Sequence, residues 1–306
     1  MVVFKPKIVI TGASGLLGHW LCMLAREHWS VYALYLRNRP RVDKINAIAL
    51  DLIQPEELFK FIRKLNPEAV LHAAANANMP DCEANPQKAE MINVHVPTHL
   101  AKICHELKIA FLFTSSDLVF DGLNAPYSEN SLPNPVGVYG EQKRQAENRV
   151  LRYHPNALIC RLPLMFGLSP YSERNFMVQM LAAIANNRPL NLFVDEYRTP
   201  VDNCSAAKGI LQVLGRTRGI LHMGGRTRLS RYEMGLLMAA AMKVKPKMIQ
   251  ATRIKAAGLS FKRAPDCSLD SQKAYALGYD PTPIKAAVEQ VVTQYLRGGG
   301  STLDAC

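Results

Sequence analysis

No apolar run in this 306-residue sequence approaches the ~18 residues that a membrane span requires. A transmembrane protein is therefore excluded first. Seven cysteines (22, 82, 104, 160, 204, 267 and 306) include no CxxC pair and no other metal-ligand spacing. Several sit inside apolar runs, so they read as reduced, buried thiols of a cytoplasmic protein without a metal site. The N-terminus sets lysines before an apolar stretch, as a signal peptide does, but glycines interrupt it and no small-residue cleavage site follows. Internal repeats are missing. Low complexity is confined to Gly298-Gly299-Gly300-Ser301, which makes 298–306 an expected flexible tail.

Acidic residues are scarce beside basic ones, 25 against 37, for a formal net charge of +12. Residues 201–300 hold most of the excess, with 16 basic and 6 acidic residues. Such a balance makes nucleic acid the first partner to consider. No nucleic-acid motif accompanies it, and the expectation is no nucleic-acid partner. Arg216, Arg218, Arg226, Arg228, Lys243, Lys245 and Lys247 then remain as a solvated face or as a docking surface for an acidic partner. With 48% hydrophobic and 20% charged residues, the chain can bury one large core or two coupled ones.

Up to about residue 165, short β-rich apolar runs alternate with helical patterns. Strands are expected at 7–11, 31–36, 47–50, 69–74, 110–115 and 157–162, and helices at 16–28, 56–65, 86–107 and 138–153, with Pro55 and Pro86 at helix starts. This rhythm predicts an α/β fold, a Rossmann-type doubly wound parallel sheet whose ligands lie at the carboxyl ends of its strands. The rhythm then loosens: 175–186 reads as a loop rich in Asn and Arg, followed by 206–214, a short strand at 219–223, and helices near 231–242 and 283–297. The expected division is a dinucleotide-binding domain at 1–166, completed by parts of 195–224, and a smaller interleaved substrate lobe at 167–194 and 225–297.

The first strand runs into Thr11-Gly12-Ala13-Ser14-Gly15-Leu16-Leu17-Gly18. Glycines at spacing three permit a tight turn, close approach of a pyrophosphate to backbone N–H groups, and close helix packing. Gly12, Ser14, Gly15, Leu16, Leu17 and Gly18 are thus candidate cofactor contacts. Where an NAD enzyme carries Asp or Glu after the second strand, this sequence has Arg37-Asn38-Arg39-Pro40-Arg41. Arg37 and Arg39 suit a 2′-phosphate through paired, charge-assisted hydrogen bonds, which points to NADP(H); the other reading is a solvated basic loop. Asp51 and Leu52 follow the third strand as further candidates, and Ala73, Ala74 and Ala75 are small enough to let a dinucleotide pass over the fourth.

Tyr139 and Lys143 lie one helical turn apart at the start of the helix after strand five, which itself ends in Thr114-Ser115-Ser116-Asp117. A phenol with a pKa near 10 serves acid–base chemistry at neutral pH when a nearby cation favours phenolate. Lys143 is expected to supply that charge, and Ser116 to hydrogen-bond a substrate carbonyl oxygen.

These residues resemble the extended short-chain dehydrogenase/reductase family, through the glycine motif, the Ser116–Tyr139–Lys143 set, and Asn93 in the helix after strand four. Within it, the run Phe113-Thr114-Ser115-Ser116-Asp117-Leu118-Val119-Phe120-Asp121-Gly122 is similar to the strand-and-loop signature of the dTDP-4-dehydrorhamnose reductases. Asp195-Glu196-Tyr197-Arg198-Thr199-Pro200, Arg263-Ala264-Pro265 and Leu269-Asp270 match further. The likeness covers residues 7 to about 293. It implies NADPH-dependent reduction of a 4-keto group on a nucleotide-activated deoxysugar, cofactor contacts at Asn93 and Leu162, and a possible homodimer by family habit. Two stretches depart from that pattern. Leu164 in Arg161-Leu162-Pro163-Leu164-Met165 stands where those reductases carry a tryptophan over the sugar. This stretch and Arg37–Pro40 instead resemble the regulatory β subunit of methionine adenosyltransferase, a relative that binds NADP, serves as a partner and keeps the Tyr and Lys pattern. A catalytic reductase, a silent NADP-binding regulator that holds a partner through its tail, and a reductase of another natural-product ketone therefore stay open. Substrate-side candidates are Asn76 within 75–81, Ser116, Leu164, Met165, and Asn175 with Phe176 and Met177 against an aromatic base. Arg198 and Arg263 are the candidates for a diphosphate.

Overall fold

A computed structural model describes residues 5–171, 175–259 and 261–297; the expected tail at 298–306 lies outside them. The strands β1 (Lys7–Thr11), β2 (Ser30–Tyr35), β3 (Asn46–Ala49), β4 (Ala69–His72), β5 (Ala110–Ser116) and β6 (Leu158–Leu162) form one parallel sheet. Four short strands follow: β7 (Met165–Phe166), β8 (Leu190–Phe193), β9 (Tyr197–Arg198) and β10 (Val201–Asp202). Next comes β11 (Gly219–His222), which adds a seventh strand to the sheet, in the order β11-β6-β5-β4-β1-β2-β3. The sheet reads buried on both faces because its strands are nearly continuous apolar runs. Ile8, Ile10, Leu71, Leu112 and Cys160 point into one core, whereas Val9, Val70, Phe111, Phe113 and Ile159 point into the other. Sequence order reverses between β1 and β4, and sheets of this kind bind their ligands at such a point, outside the carboxyl ends of the strands.

The helices are α1 (Leu16–Ala25), α2 (Pro55–Leu65), α3 (Met79–Ala84), α4 (Pro86–Glu90), α5 (Val96–Glu106), α6 (Val138–Tyr153), α7 (Phe176–Ala185), α8 (Asn203–Val213), α9 (Arg231–Ala241), α10 (Gln272–Ala276) and α11 (Ile284–Leu296). No described helix is long and apolar enough to cross a membrane. The smaller pairings sit beyond the sheet's ligand edge: β7 with β10, β9 antiparallel to β12 (Leu229–Ser230), and β8 with β13 (Ile249–Thr252). A third apolar cluster, of Val119, Phe120, Tyr127, Ala264, Cys267 and Leu269, ties the loop after β5 to the chain that carries Arg263.

Several expectations are corrected. Residues 175–186 are not a loop: Phe176–Ala185 is helical, because seven of its ten residues are the good helix formers Ala, Leu, Met and Gln and the Asn175 side chain accepts the Met177 N–H as a cap. The expected helix 86–107 is interrupted by a π-helical turn at Met91–His95, since Pro97 lacks the N–H that a continuous ladder needs. β4 stops at His72, where Ala73 and Ala74 bend past Gly12. Cys22, Cys82, Cys104, Cys160 and Cys267 are free and buried, but Cys204 is disulfide-bonded rather than reduced.

Candidate active site

At the end of β1 the chain turns through Gly12 at φ +66°, where a Cβ would lie 2.7 Å from the Ala74 nitrogen. Only glycine takes this conformation so close to another backbone. The Gly15 N–H donates to the Gly12 carbonyl at 2.9 Å, and Gly18 presses on that carbonyl from inside α1. Gly15 is the helix's N-cap, and no side chain caps it. The leading amides of α1, at Leu16 and Leu17, are left for an anion, with Ser14 half-buried beside them. Thr11 fixes the neighbouring strand end: its hydroxyl meets His72 Nδ1 at 2.7 Å and accepts the Ala74 N–H. Burial, then Lys143, push His72 down to about 3, so it is neutral. Ala73, Ala74 and Ala75 lead away from the crevice with rising exposure.

Arg37 and Arg39 are exposed just past β2, while the Arg39 carbonyl accepts the Tyr171 hydroxyl and Arg41 lies over the Tyr171 ring. Leu52 is buried, and one Asp51 carboxylate oxygen accepts the Ile53 N–H. A cradle that a Cβ would fill, an uncapped helix start and two exposed arginines beyond β2 together fit a dinucleotide with a 2′-phosphate.

Ser116, at the end of β5, and Tyr139, at the start of α6, line one cleft of about 230 Å³ with Leu162, Leu164 and Met165. The Gly140 Cα beside Tyr139 packs on the Leu118 carbonyl, which brings α6 against the loop after β5. Lys143, 2% exposed, lies one turn on, donates to the Thr114 carbonyl at 2.7 Å and sits 4.1 Å from the Phe113 ring centre. Burial brings its amine down to about 7. The expected lowering of Tyr139 by Lys143 is not what the geometry gives. Burial first, then the charges of Asp117 and Cys82, raise the Tyr139 phenol, and only the Ser116 hydroxyl works the other way.

Asn93 is buried in the π-helical turn and contacts protein rather than the crevice. Its side chain holds both backbone groups of Asn76, through the Asn76 N–H at 2.8 Å and the Asn76 carbonyl at 3.0 Å, and donates to Gln142. Asn93 thereby fastens α6 to the loop after β4. The Asn76 amide in turn donates to Asp81 at 2.6 Å, and Asn76 does not reach the cleft wall.

The opposite wall is a charge cluster that sequence reasoning found only in part. Glu196, which is fully covered, contacts Arg198, Arg231 and Arg263 at 3.3, 3.5 and 2.8 Å. Arg198 also pairs with Asp117 at 3.3 Å and donates to the carbonyls of Tyr197, Ala264 and Pro265. These contacts occupy the whole guanidinium, so Arg198 is a strut inside the wall rather than the expected diphosphate ligand. Burial pushes Glu196 up, but its three arginines outweigh it and hold the carboxyl below its ordinary value. Asp117 is the reverse, raised to about 6 by burial against the opposing pull of Arg198 and Ser116. It also accepts the Ser116 hydroxyl at 3.1 Å. Asn175 caps α7, Met177 is core, and Phe176 carries the Arg231 guanidinium 4.8 Å above its ring, so none of the three is free to stack on a base. Arg231 was missed because nothing near Ser230-Arg231 signals a site; the local pattern is a capping box for α9. The basic residues left unassigned divide: Arg226 and Arg228 pair with Asp280 and Asp266 and lie over Tyr275 and Tyr197.

Residues 6–297 match the model of the RmlD substrate binding domain. The chain belongs to that family. Methionine adenosyltransferase 2 subunit beta of Xenopus laevis is 28% identical, in a match covering 97% of this chain and 90% of that protein. The probable low-salt glycan biosynthesis reductase Agl14 of Haloferax volcanii is 30% identical over 67% of this chain and 69% of its own length. Among solved structures, a hypothetical dTDP-4-dehydrorhamnose reductase from Sulfolobus tokodaii superposes with a TM-score of 0.80 at 29% identity, covering 88% of this chain and 94% of that one. A Bacillus anthracis dTDP-4-dehydrorhamnose reductase in complex with NADP shares the fold, with a TM-score of 0.83 at 20% identity, covering 95% and 100%. The architecture is thus that of the extended short-chain dehydrogenase/reductase type, an oxidoreductase fold.

Proposed function

We propose that this RmlD-family member is an NADPH-dependent reductase of a nucleotide-linked 4-keto deoxysugar. The observation that carries this reading is the meeting of Ser116 and Tyr139 in one cleft, with Lys143 one turn behind and the glycine cradle at the neighbouring strand end. The part of the chain at 5–166, completed within 195–224, holds the dinucleotide, and the remainder closes the substrate side. Bound in the cradle, NADPH supplies a hydride to the ketone carbon. Tyr139 gives the proton to the carbonyl oxygen. Its raised pKa keeps it protonated at neutral pH, which suits donation to a ketone better than removal of a proton from an alcohol. The Ser116 hydroxyl, once turned from Asp117, braces the same oxygen, and Lys143, anchored on Thr114, would hold the nicotinamide ribose.

The test is NADPH oxidation with dTDP-4-keto-6-deoxysugars. Tyr139→Phe should lower kcat at least ~100-fold while NADPH still binds; equal activity in the variant removes Tyr139 from the mechanism. A second reading, a cofactor-binding regulatory subunit, is favoured by the likeness to methionine adenosyltransferase 2 subunit beta along almost the whole chain. It predicts NADPH binding with no turnover and a stable protein partner on pulldown.

A further inference from the structure

Arg161, on β6 between β5 and β11, is the largest of the fully enclosed side chains among the described residues. It does not line the cleft. A guanidinium taken out of water costs several kcal/mol unless its donors find partners, and this one is fully engaged. Its Nε and one terminal nitrogen donate to the two oxygens of Glu147 at 2.9 and 2.7 Å. The other terminal nitrogen meets His222 Nε2 at 3.3 Å, and the Phe120 ring centre lies 5.0 Å from the guanidinium. His222 Nδ1 sits 3.0 Å from the Tyr127 carbonyl, which can only accept, so Nδ1 carries the proton and Nε2 is bare for the arginine. Burial first, then the Arg161 charge, bring His222 down to about 3, which keeps it neutral. Glu147 stands four residues after Lys143 on α6, and both are buried. Oppositely charged residues at that spacing are neighbours on a helix face and pair readily. Here no hydrogen bond or ion pair joins them among the described residues: Arg161 takes both Glu147 oxygens, and Lys143 donates to the Thr114 carbonyl. The strand register divides them, since Thr114 lies on β5 and Arg161 on β6, opposite Ser115.

We propose that Arg161 is a positioning residue for Lys143: by occupying both oxygens of Glu147 it keeps the lysine out of a salt bridge within α6 and leaves it turned to Thr114 and the dinucleotide end of the cleft. A planar fork is suited to this task because it covers both carboxylate oxygens at once. Neutral His222 fixes the fork's orientation, and a guanidinium turned otherwise would free one oxygen for the lysine. The other titratable groups that face Lys143 are Tyr139, one turn back on α6, and neutral His72 on β4. Burial is the stronger influence on the Lys143 amine and Glu147 opposes it, so the carboxylate is felt without being bonded. The inference rests on the reductase reading for what Lys143 does at the cofactor, and on the packing alone for what Arg161 does to Lys143.

Carbon-13 NMR of the full chain labelled at lysine Cε tests it, with the Lys143 signal assigned by its loss in Lys143→Met. Wild type should titrate with a midpoint near 7. Arg161→Gln leaves Glu147 free to take the lysine, and should raise that midpoint by about one pH unit or more and lower kcat for NADPH-dependent ketone reduction at neutral pH roughly tenfold. Glu147→Gln/Arg161→Gln removes the competing carboxylate as well. It should return the midpoint to 7 or below and recover most of the activity. An arginine that merely ties α6 to the sheet predicts instead a double variant no better than the single one. Arg161→Lys, whose one ammonium cannot cover both oxygens, should move the midpoint the same way by less, and it carries the test if Arg161→Gln does not fold. An unmoved midpoint in folded Arg161→Gln, or in Arg161→Lys where only that variant folds, overturns the proposal. So does a double variant that keeps the single variant's shift. Midpoints that follow the variants while no ketone is reduced sink the reductase and leave the positioning role; reduction with an unmoved midpoint does the opposite.

Discussion

The two ends of the cleft are built by opposite means. At the dinucleotide end the contacts are backbone on backbone: Gly12 against Ala73 and Ala74, and Gly18 against Gly12. At the substrate end they are side chain on side chain, gathered from residues 117, 196, 198, 231 and 263 around one covered carboxylate. A backbone cradle has no slack and fails with one added methyl group. A charge cluster has several members and answers to pH instead.

Gly18→Val probes the first kind of construction and should have the largest effect. A Cβ at Gly18 would lie 2.1 Å from the Gly12 carbonyl oxygen, and Gly12 cannot retreat because Ala73 and Ala74 stand behind it. The strain of such overpacking, about 3 kcal/mol, corresponds to a loss of NADPH affinity of roughly 100-fold or more. Fluorescence titration with NADPH reads it, with circular dichroism as the folding control. Near-normal binding in a folded variant would erase the contrast between the two ends.

Asp117→Asn probes the second kind. Asp117 has a folded pKa near 6, raised chiefly by burial from an ordinary 3.8. Its carboxyl thus binds a proton more readily folded than unfolded. This contribution is complete below about pH 4 and is lost as pH rises through 6. Two pKa units correspond to at most about 3 kcal/mol. Stability, measured by denaturant melts from pH 4 to 7, should fall with rising pH in the wild type more steeply than in Asp117→Asn. Identical slopes would mean that Arg198 and Arg231 already keep Asp117 ionised when folded, and that the wall is fully compensated.

The same contrast explains what was legible in the sequence. The sheet was readable because its central strands are largely contiguous apolar runs, and β1 falls on the residues that its run marks. The glycine turn was readable for the same reason: its requirements sit within eight residues. The helix at 176–185 was not, because Asn and Arg at its margins carry turn signals that outweighed the apolar Phe176–Ala185 between them; Asn175 turned out to be a cap. Arg198 was found but misassigned. An arginine beside proline in a loop reads as exposed, and only the folded chain brings Asp117, Glu196 and the 264–265 carbonyls around it. Arg231 left no local trace, since what makes it unusual is its place beside Glu196 and over Phe176, which only the folded chain brings about.

Arg37→Ala/Arg39→Ala should have the smallest effect and tests whether the cradle end is wholly a backbone device. Both side chains are exposed beyond β2, so water screens them and each phosphate contact contributes modestly. Nothing in the glycine turn would distinguish NADPH from NADH, because the pyrophosphate that it is proposed to meet is common to both. Preference between them therefore rests on side chains at the end of β2. The double variant should bind NADH as before and lose about tenfold for NADPH, or ~1.4 kcal/mol, with the loss shrinking as salt is raised. A preserved NADPH-to-NADH ratio would move the 2′-phosphate contact to Arg41 or away from β2 altogether. A loss shared equally by both dinucleotides would mean that the arginines shape the cradle itself, and the division between a backbone end and a side-chain end would no longer hold.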